Sequence, residues 1–149
     1  MAGPLLPCNF GVAENGARVV DFSSQYHHNS GVQNLVRQDP SVCWFTSVYA
    51  PLPQHVVVDM GQPVCLTRVG IFLHGENSQN PRRVSFACGA GPACPEPLAE
   101  MDLPHRGGDH LCALPSPRVA RFVRYTILEN FGGSGAYTTG LQLYGLPAQ

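Results

Sequence analysis

Hydrophobic and polar residues alternate along this chain in short runs, and glycine or proline interrupts the runs at regular intervals. Alternation with a period of two places apolar side chains on one face of a β-strand. The clearest run covers residues 119–129, with Val123, Tyr125 and Ile127 on one face. By this rule we predict about eight strands. They are residues 17–23, 55–60, 66–74, 82–88, 98–103, 110–114, 119–129 and 138–144.

One short helical turn is predicted near the start, at residues 31–37. Asp39-Pro40 ends it, because the residue before a proline is displaced from helical backbone angles. Evenly spaced strands with a single helical turn favour an all-β, antiparallel jelly-roll sandwich over a fold with crossover helices. The 149 residues suit a single domain, and we expect its core to cover about 17–146.

Charge and cysteine content narrow the function classes. Charged residues make up 13% of the chain and the formal net charge is −1, so no global field is available to hold a nucleic acid or an anionic membrane. We find no export signal and no apolar run long enough to span a bilayer, and therefore expect a cytoplasmic protein for which membrane binding is unlikely. In that compartment the six cysteines remain thiols, and most are expected to act as small core residues.

Seven short motifs carry a family resemblance. They cover residues 22–24, 32–36, 39–44, 54–61, 66–71, 120–125 and 141–145. Their order resembles the discoidin or coagulation-factor type C family, which has a galactose-binding-like jelly-roll fold. The resemblance covers about 17–146 and implies that Trp44, the only tryptophan, is buried beneath the first sheet.

The resemblance also implies a function. As a bare domain, the chain is similar to stand-alone intracellular members such as the Doc-type domains, the muskelin N-terminal domain and the discoidin-fold intraflagellar transport subunit. We therefore expect a non-enzymatic protein-interaction module that docks onto a larger intracellular assembly, for which a ciliary or microtubule-associated complex is one candidate. A carbohydrate-binding module is the first alternative. A phospholipid-binding module is the second, with Phe131 and Leu52 as its apolar loop tips.

The loops at one end of a jelly roll cluster in space, and binding is generally carried by such loops. Tyrosine, arginine and phenylalanine in loops are residue types that anchor interfaces, and aromatic platforms beside planar polar groups bind sugars. The candidate partner- or ligand-binding residues are Tyr26, His27, His28, Tyr49, Arg82, Arg83, Asn130, Phe131 and Tyr137.

Metal binding has a poor ligand set. Some discoidin-like proteins hold calcium through an acidic residue and a threonine before the tryptophan, but this chain has Arg37 and Val42 at those places. Asp39 and Ser41 remain as a calcium candidate with too few oxygen ligands. A zinc site is a further alternative, but its spacing lacks paired CxxC motifs. The soft ligands that it would use are Cys88, Cys94, His105, His110 and Cys112.

Catalysis has no recognisable motif. A thiol hydrolase would need a nucleophile, a base and an acidic residue, and the residue types for it are present as Cys43, His27, His28 and Asp39. The chain has, however, no nucleophile elbow, HExxH sequence or phosphate-binding loop. We therefore expect neither an enzyme nor a cofactor.

Overall fold

A computed structural model describes residues 6–148 and confirms the antiparallel all-β fold. Nine strands are formed within this part of the chain, with 3-10 helices at Ala13–Asn15, His28–Ser30 and Val32–Val36. The strands are β1 (Cys8–Asn9), β2 (Arg18–Phe22), β3 (Trp44–Phe45), β4 (Gln54–Leu73), β5 (Pro81–Gly89), β6 (Glu96–Asp102), β7 (Gly108–Asn130), β8 (Tyr137–Thr138) and β9 (Gly140–Pro147). No helix of the described residues has the length and apolarity to cross a membrane.

Two long strands, β4 and β7, belong to both layers of the sandwich. β4 and β7 pair with each other along most of their length. The other neighbours of each strand differ between its first half and its second half. The first sheet has the order β1, β9, second half of β4, first half of β7. The second sheet has the order β2, first half of β4, second half of β7, β5, β6. Predicted strands 55–60 and 66–74 are therefore one strand, as are 110–114 and 119–129.

Asp59 lies where β4 passes from one sheet to the other, and its hydrogen bonds stabilise that crossing. Its side chain is 2% exposed, and its two oxygens accept hydrogen bonds from Nε of Arg121 at 2.9 Å and from Nη2 at 3.2 Å. Oδ1 also accepts the backbone N–H of Gly61, whose φ of 85° is a left-handed angle that favours glycine. The Arg121 guanidinium keeps the pKa of Asp59 below its ordinary value. We call this part of the molecule the corner end.

Trp44 fills the centre of the core, as the sequence predicts. It is fully buried, and its Nε1–H donates to the carbonyl of Ser24 at 2.8 Å. The ring meets Tyr125 edge to face with centroids 6.4 Å apart, and the Tyr125 hydroxyl pairs with Thr138 Oγ1 at 2.8 Å. Burial raises the pKa of Tyr125 above its usual range. Trp44 therefore connects the loop after β2 to the long strand β7 inside the core.

The cysteines only partly follow the prediction. All six are free thiols, but only Cys88 and Cys94 are buried, while Cys8 is exposed and Cys112 is half-exposed. Cys112 was expected to be a core residue, but it is only half-buried, although it lies on the same face of β7 as the buried His110. Burial raises the pKa of the Cys88 and Cys94 thiols. Within residues 6–148, no group of three or more metal-binding side chains is assembled.

Candidate functional site

Five loops from both sheets meet at the end of the sandwich opposite the corner. Short hydrogen bonds join them. The Tyr49 N–H donates to the Ser134 carbonyl at 2.6 Å, the Gly135 N–H donates to Gln79 Oε1 at 2.8 Å, and the Ser47 N–H donates to Ser24 Oγ at 3.1 Å. We call this surface the loop end; its loops are 23–31, 46–53, 74–80, 103–107 and 131–136. The clustering that the fold predicts is therefore present.

An open depression of about 560 Å³ lies between loops 46–53 and 131–136. Tyr49 and Leu52 line one side, and Asn130, Ser134 and the neighbouring glycines line the other. The wall thus combines an aromatic ring and an aliphatic side chain with a hydroxyl and backbone amides. Such a mixture suits a small ligand with both apolar and polar faces.

Tyr49 is the most exposed aromatic residue of the described chain, with 84% of its surface accessible. Its φ of 63° is a left-handed angle that a bulky residue rarely adopts, and the short bond to Ser134 holds the backbone there. Strain of this kind persists where the surrounding structure over-determines it, which often happens at binding sites. The ring is therefore displayed to solvent by a backbone that the loops hold in place.

Asn130 shapes the other wall of the depression. Its Nδ2 donates to the carbonyls of Gly133 at 3.1 Å and Gly135 at 2.7 Å, and its Oδ1 accepts from Gly132 N at 3.0 Å. A Cβ atom at Gly133 would lie 2.8 Å from the backbone carbonyl oxygen of Ser78 and would also clash with Gln79 Oε1, so the loop can lie this close only with glycine. Asn130 therefore lines the site, but its hydrogen bonds organise the loop.

Phe131 and Arg82 lie next to the depression together with His105, which the sequence suggested only as a zinc ligand. We call these three side chains the shelf. The His105 ring stacks on Phe131 with centroids 4.1 Å apart and an interplanar angle of 9°, and Arg82 lies 6.0 Å from the Phe131 ring. His105 Nε2 donates to the Asn77 carbonyl at 2.8 Å, which leaves Nδ1 as an acceptor. The shelf presents a planar polar edge beside the depression.

Tyr26, His27 and His28 lie in loop 23–31 but do not line the depression. Tyr26 is 61% exposed and packs edge to face on Phe45 at 5.7 Å. The two histidine rings lie 4.1 Å apart, and His27 Nδ1 accepts the Asn29 N–H at 3.2 Å, which caps a 3-10 helix. These residues form a neighbouring part of the loop end.

Tyr137 and Arg83 do not take the positions expected of loop residues. Tyr137 is 3% exposed, its hydroxyl donates to the Gly75 carbonyl at 2.7 Å, and burial raises its pKa. The expectation of an exposed Tyr137 is therefore wrong, because β8 carries it into the core beside β3. Arg83 lies on β5 and pairs with Glu100 at 3.0 Å and Asp102 at 3.2 Å, so its charge is used across the sheet.

The structure also shows the surroundings of the calcium candidate, Asp39 and Ser41, and of the two predicted lipid-binding loop tips. Asp39 Oδ1 accepts both the N–H of Ser41 at 2.9 Å and its hydroxyl at 2.6 Å, and these bonds lower the pKa of Asp39. Asp39 and Ser41 therefore close a local turn around each other. Phe131 and Leu52 are both half-buried, so neither protrudes as a free apolar tip.

Ser134 and His105 were not among the predicted binding residues. Ser134 follows the run Gly132-Gly133, and that run is the signal that could have marked it, since glycine-rich loops permit close approach of chain segments. His105 had no comparable signal. Its stacking partner lies 26 positions later in the chain, and only the fold brings the two rings together.

Comparison with known proteins supports the fold. No protein-family model and no curated protein matches this chain. Among solved structures, it is similar to the C-terminal domain of a chitobiase from Bacteroides fragilis, with 18% identity, 93% of this chain and 99% of that chain covered, and a TM-score of 0.79. It is equally similar to the family 32 carbohydrate-binding module of NanJ from C. perfringens in complex with galactose, with 15% identity, the same coverages and a TM-score of 0.80.

A third similar structure is an f-lectin (fucolectin) from the serum of Morone saxatilis (striped bass). It has 12% identity, with 97% of this chain and 50% of that chain covered and a TM-score of 0.76. These likenesses confirm the jelly-roll sandwich fold that the sequence predicts.

Proposed function

We propose that this chain is a carbohydrate-binding module whose sugar site is the loop-end depression. The observation that carries the proposal is Tyr49, an aromatic ring that is 84% exposed and held in a left-handed backbone conformation at the edge of that depression. An exposed aromatic ring without a partner is costly in water. A ligand with a flat apolar face removes that cost when it covers the ring.

A pyranose ring has the required two-sided chemistry. Its C–H face packs on an aromatic ring, and its hydroxyls exchange hydrogen bonds with polar groups around the edge. Ser134 Oγ accepts from Gln79 Nε2 at 3.3 Å and keeps its own hydrogen for donation. The His105 edge and the Arg82 guanidinium add an acceptor and a donor at the adjacent shelf.

The comparisons support this class of ligand over the docking function first expected. Structures with this fold include a module in complex with galactose and another, from Clostridium perfringens, in complex with GalNAc-β-1,3-galactose. Their low identity means that they support a class of ligand, whereas the particular sugar depends on the residues of this chain. Among the candidate ligand-binding residues, Tyr49 and Asn130 line the depression, whereas Tyr26, Tyr137 and Arg83 do not.

The test is a titration of isotope-labelled protein with galactose, N-acetylgalactosamine and fucose, followed by amide chemical shifts. We expect saturable shifts at residues 49, 50, 52 and 130–135 with at least one of these sugars, and their loss in Tyr49→Ala. Tyr26→Ala is the matched control, because it removes another exposed tyrosine of the same end that does not line the depression. Equal loss in both variants, or no saturable shift with any of the sugars, would contradict the proposal.

Protein docking is a second candidate, supported by the same end of the molecule. Tyr26, Val48 and Tyr49 are all exposed there, and exposed apolar groups of this kind often mark protein interfaces. A small subunit of a larger assembly, including a ciliary one, would use this surface. Recovery of a stoichiometric protein partner from cells, lost in Val48→Asp, would favour docking over sugar binding.

A further inference from the structure

A second cleft lies on the outer face of the first sheet, apart from the loop-end depression. It has a volume of about 230 Å³ and shares no lining residue with the depression. Phe72 of β4 stands between Asp109 of β7 and Gly140 of β9 in the sheet, and the turn containing Asp39 covers the strands from one side. The cleft therefore depends on strand register as well as on a loop.

The cleft combines two carboxylates with an apolar lining. Asp39 and Asp109 both line it, and neither forms an ion pair within residues 6–148. Arg37, the cation near Asp39, donates instead to Asn34 Oδ1 at 3.4 Å. Phe72, Pro40 and Leu141 supply carbon surface to the same cleft. This combination suits a cation carried on an aliphatic stem.

The polar atoms around the cleft are short of hydrogen-bond donors. Asp39 Oδ1 is occupied by two bonds from Ser41, and Asp109 Oδ1 accepts Gln142 Nε2 at 2.8 Å, so each carboxylate keeps its other oxygen free within the described chain. Gln142 Oε1 is buried and has no donor among the described residues. A ligand that donates hydrogen bonds and carries positive charge would complement this wall.

We infer that this cleft binds a primary alkylammonium group, either a small free amine or the lysine side chain of a partner protein. The geometry favours ammonium over guanidinium. A guanidinium fork prefers both oxygens of one carboxylate, whereas an ammonium group directs three donors at separate acceptors. Here the two available carboxylate oxygens belong to different residues on different segments. The stem would lie along the carbon surface, with the Phe72 ring available to the cation.

The test is an amide-shift titration of the labelled full chain with n-butylammonium chloride at constant ionic strength, with n-butanol as the uncharged control. We expect saturable shifts at residues 39, 41, 109 and 140–142 with the amine and none that saturate with the alcohol. Asp109→Asn and Asp39→Asn keep an oxygen that can accept the existing hydrogen bonds, and each should weaken binding by about tenfold. Asp102→Asn, which changes an exposed aspartate on β6, should leave binding unchanged.

A parallel titration with Nα-acetyl-lysine methylamide distinguishes the two sources of the amine. Binding as tight as that of n-butylammonium points to a lysine side chain, and weaker binding points to a free amine. Equal saturation by n-butanol, unchanged binding in both carboxylate variants, or saturation by calcium chloride without saturation by the amine would overturn the inference. Sugar shifts at the loop end are read separately, so failure of one proposal does not decide the other.

Discussion

At the corner end, Asp59 is 2% exposed and its oxygens accept four hydrogen bonds, whereas at the loop end Tyr49 is 84% exposed and its ring has no described aromatic partner. At the corner end, two arginines and a glycine N–H donate hydrogen bonds to the buried Asp59 carboxylate. The loop end displays a large side chain on a left-handed backbone. The difference indicates where the molecule is specialised for stability and where it is specialised for contact with other molecules.

Removal of the corner carboxylate should have the largest effect on stability. Asp59→Ala leaves the partly exposed Arg121 and the Gly61 N–H without their acceptor, and we expect a loss of about 2 kcal/mol in the free energy of unfolding. Urea denaturation measures it. Asp21→Ala, which removes an exposed carboxylate from β2, is the control and should change little. Similar losses in the two variants would show that the corner has no special role.

Low pH should weaken the contact between Asp59 and Arg121 and so lower the stability of the protein. The pKa of Asp59 is below its ordinary value in the folded protein, mainly through the Arg121 hydrogen bond, and near 3.8 when unfolded. A depressed folded pKa contributes stability above the unfolded value, and that contribution is lost as the pH falls through the folded value. Unfolding measured from about pH 5 to about pH 2 should therefore show a falling stability that is flatter in Asp59→Asn. An identical slope in the variant would contradict the assignment.

The two arginines of the corner should differ. Arg121 meets Asp59 with two bonds, whereas the Arg18 side chain is 72% exposed and makes one long contact at 3.4 Å. Arg121→Ala should destabilise the protein clearly, and Arg18→Ala should be close to neutral, since exposed single contacts contribute little. Paired urea curves measure the contrast. A larger effect of Arg18→Ala would reverse it.

Strand positions could be read from alternation, but the corner could not. Gly61-Gln62-Pro63 has the composition of a turn, and it divides the apolar pattern into two predicted strands, yet the ladder with β7 continues on both sides of it. Asp59 and Arg121 are 62 positions apart, so no local pattern connects them. Burial of Trp44 was predictable because it is the single largest apolar side chain.

The candidate site was predictable only as a set of loops. Tyr49, Asn130 and Phe131 were chosen by residue type and do lie at the loop end. Tyr137 was chosen by the same reasoning and is buried, because the short pairing of β8 with β3 turns its ring towards His74. Residue type therefore locates candidates, and side-chain direction depends on contacts between distant segments.

The smallest expected effect has the opposite sign. Tyr49→Asn should raise the free energy of unfolding by about 0.5 kcal/mol, because asparagine tolerates the left-handed angle better than tyrosine does and little packing is lost. Tyr26→Asn, at a position without positive φ, should give no such gain. The same Tyr49 variant should lose sugar binding. A destabilised Tyr49→Asn would show that the ring contributes to the fold.

The most direct test of carbohydrate binding is a search for nuclear Overhauser contacts between the Tyr49 ring protons and the C–H protons of a bound sugar. Galactose, N-acetylgalactosamine and fucose are the ligands to use. The proposed function predicts contacts from the Tyr49 ring to protons on one face of the pyranose, together with saturable shifts in residues 130–135. A sugar that binds with no contact to Tyr49, or the absence of binding by all three, would contradict it.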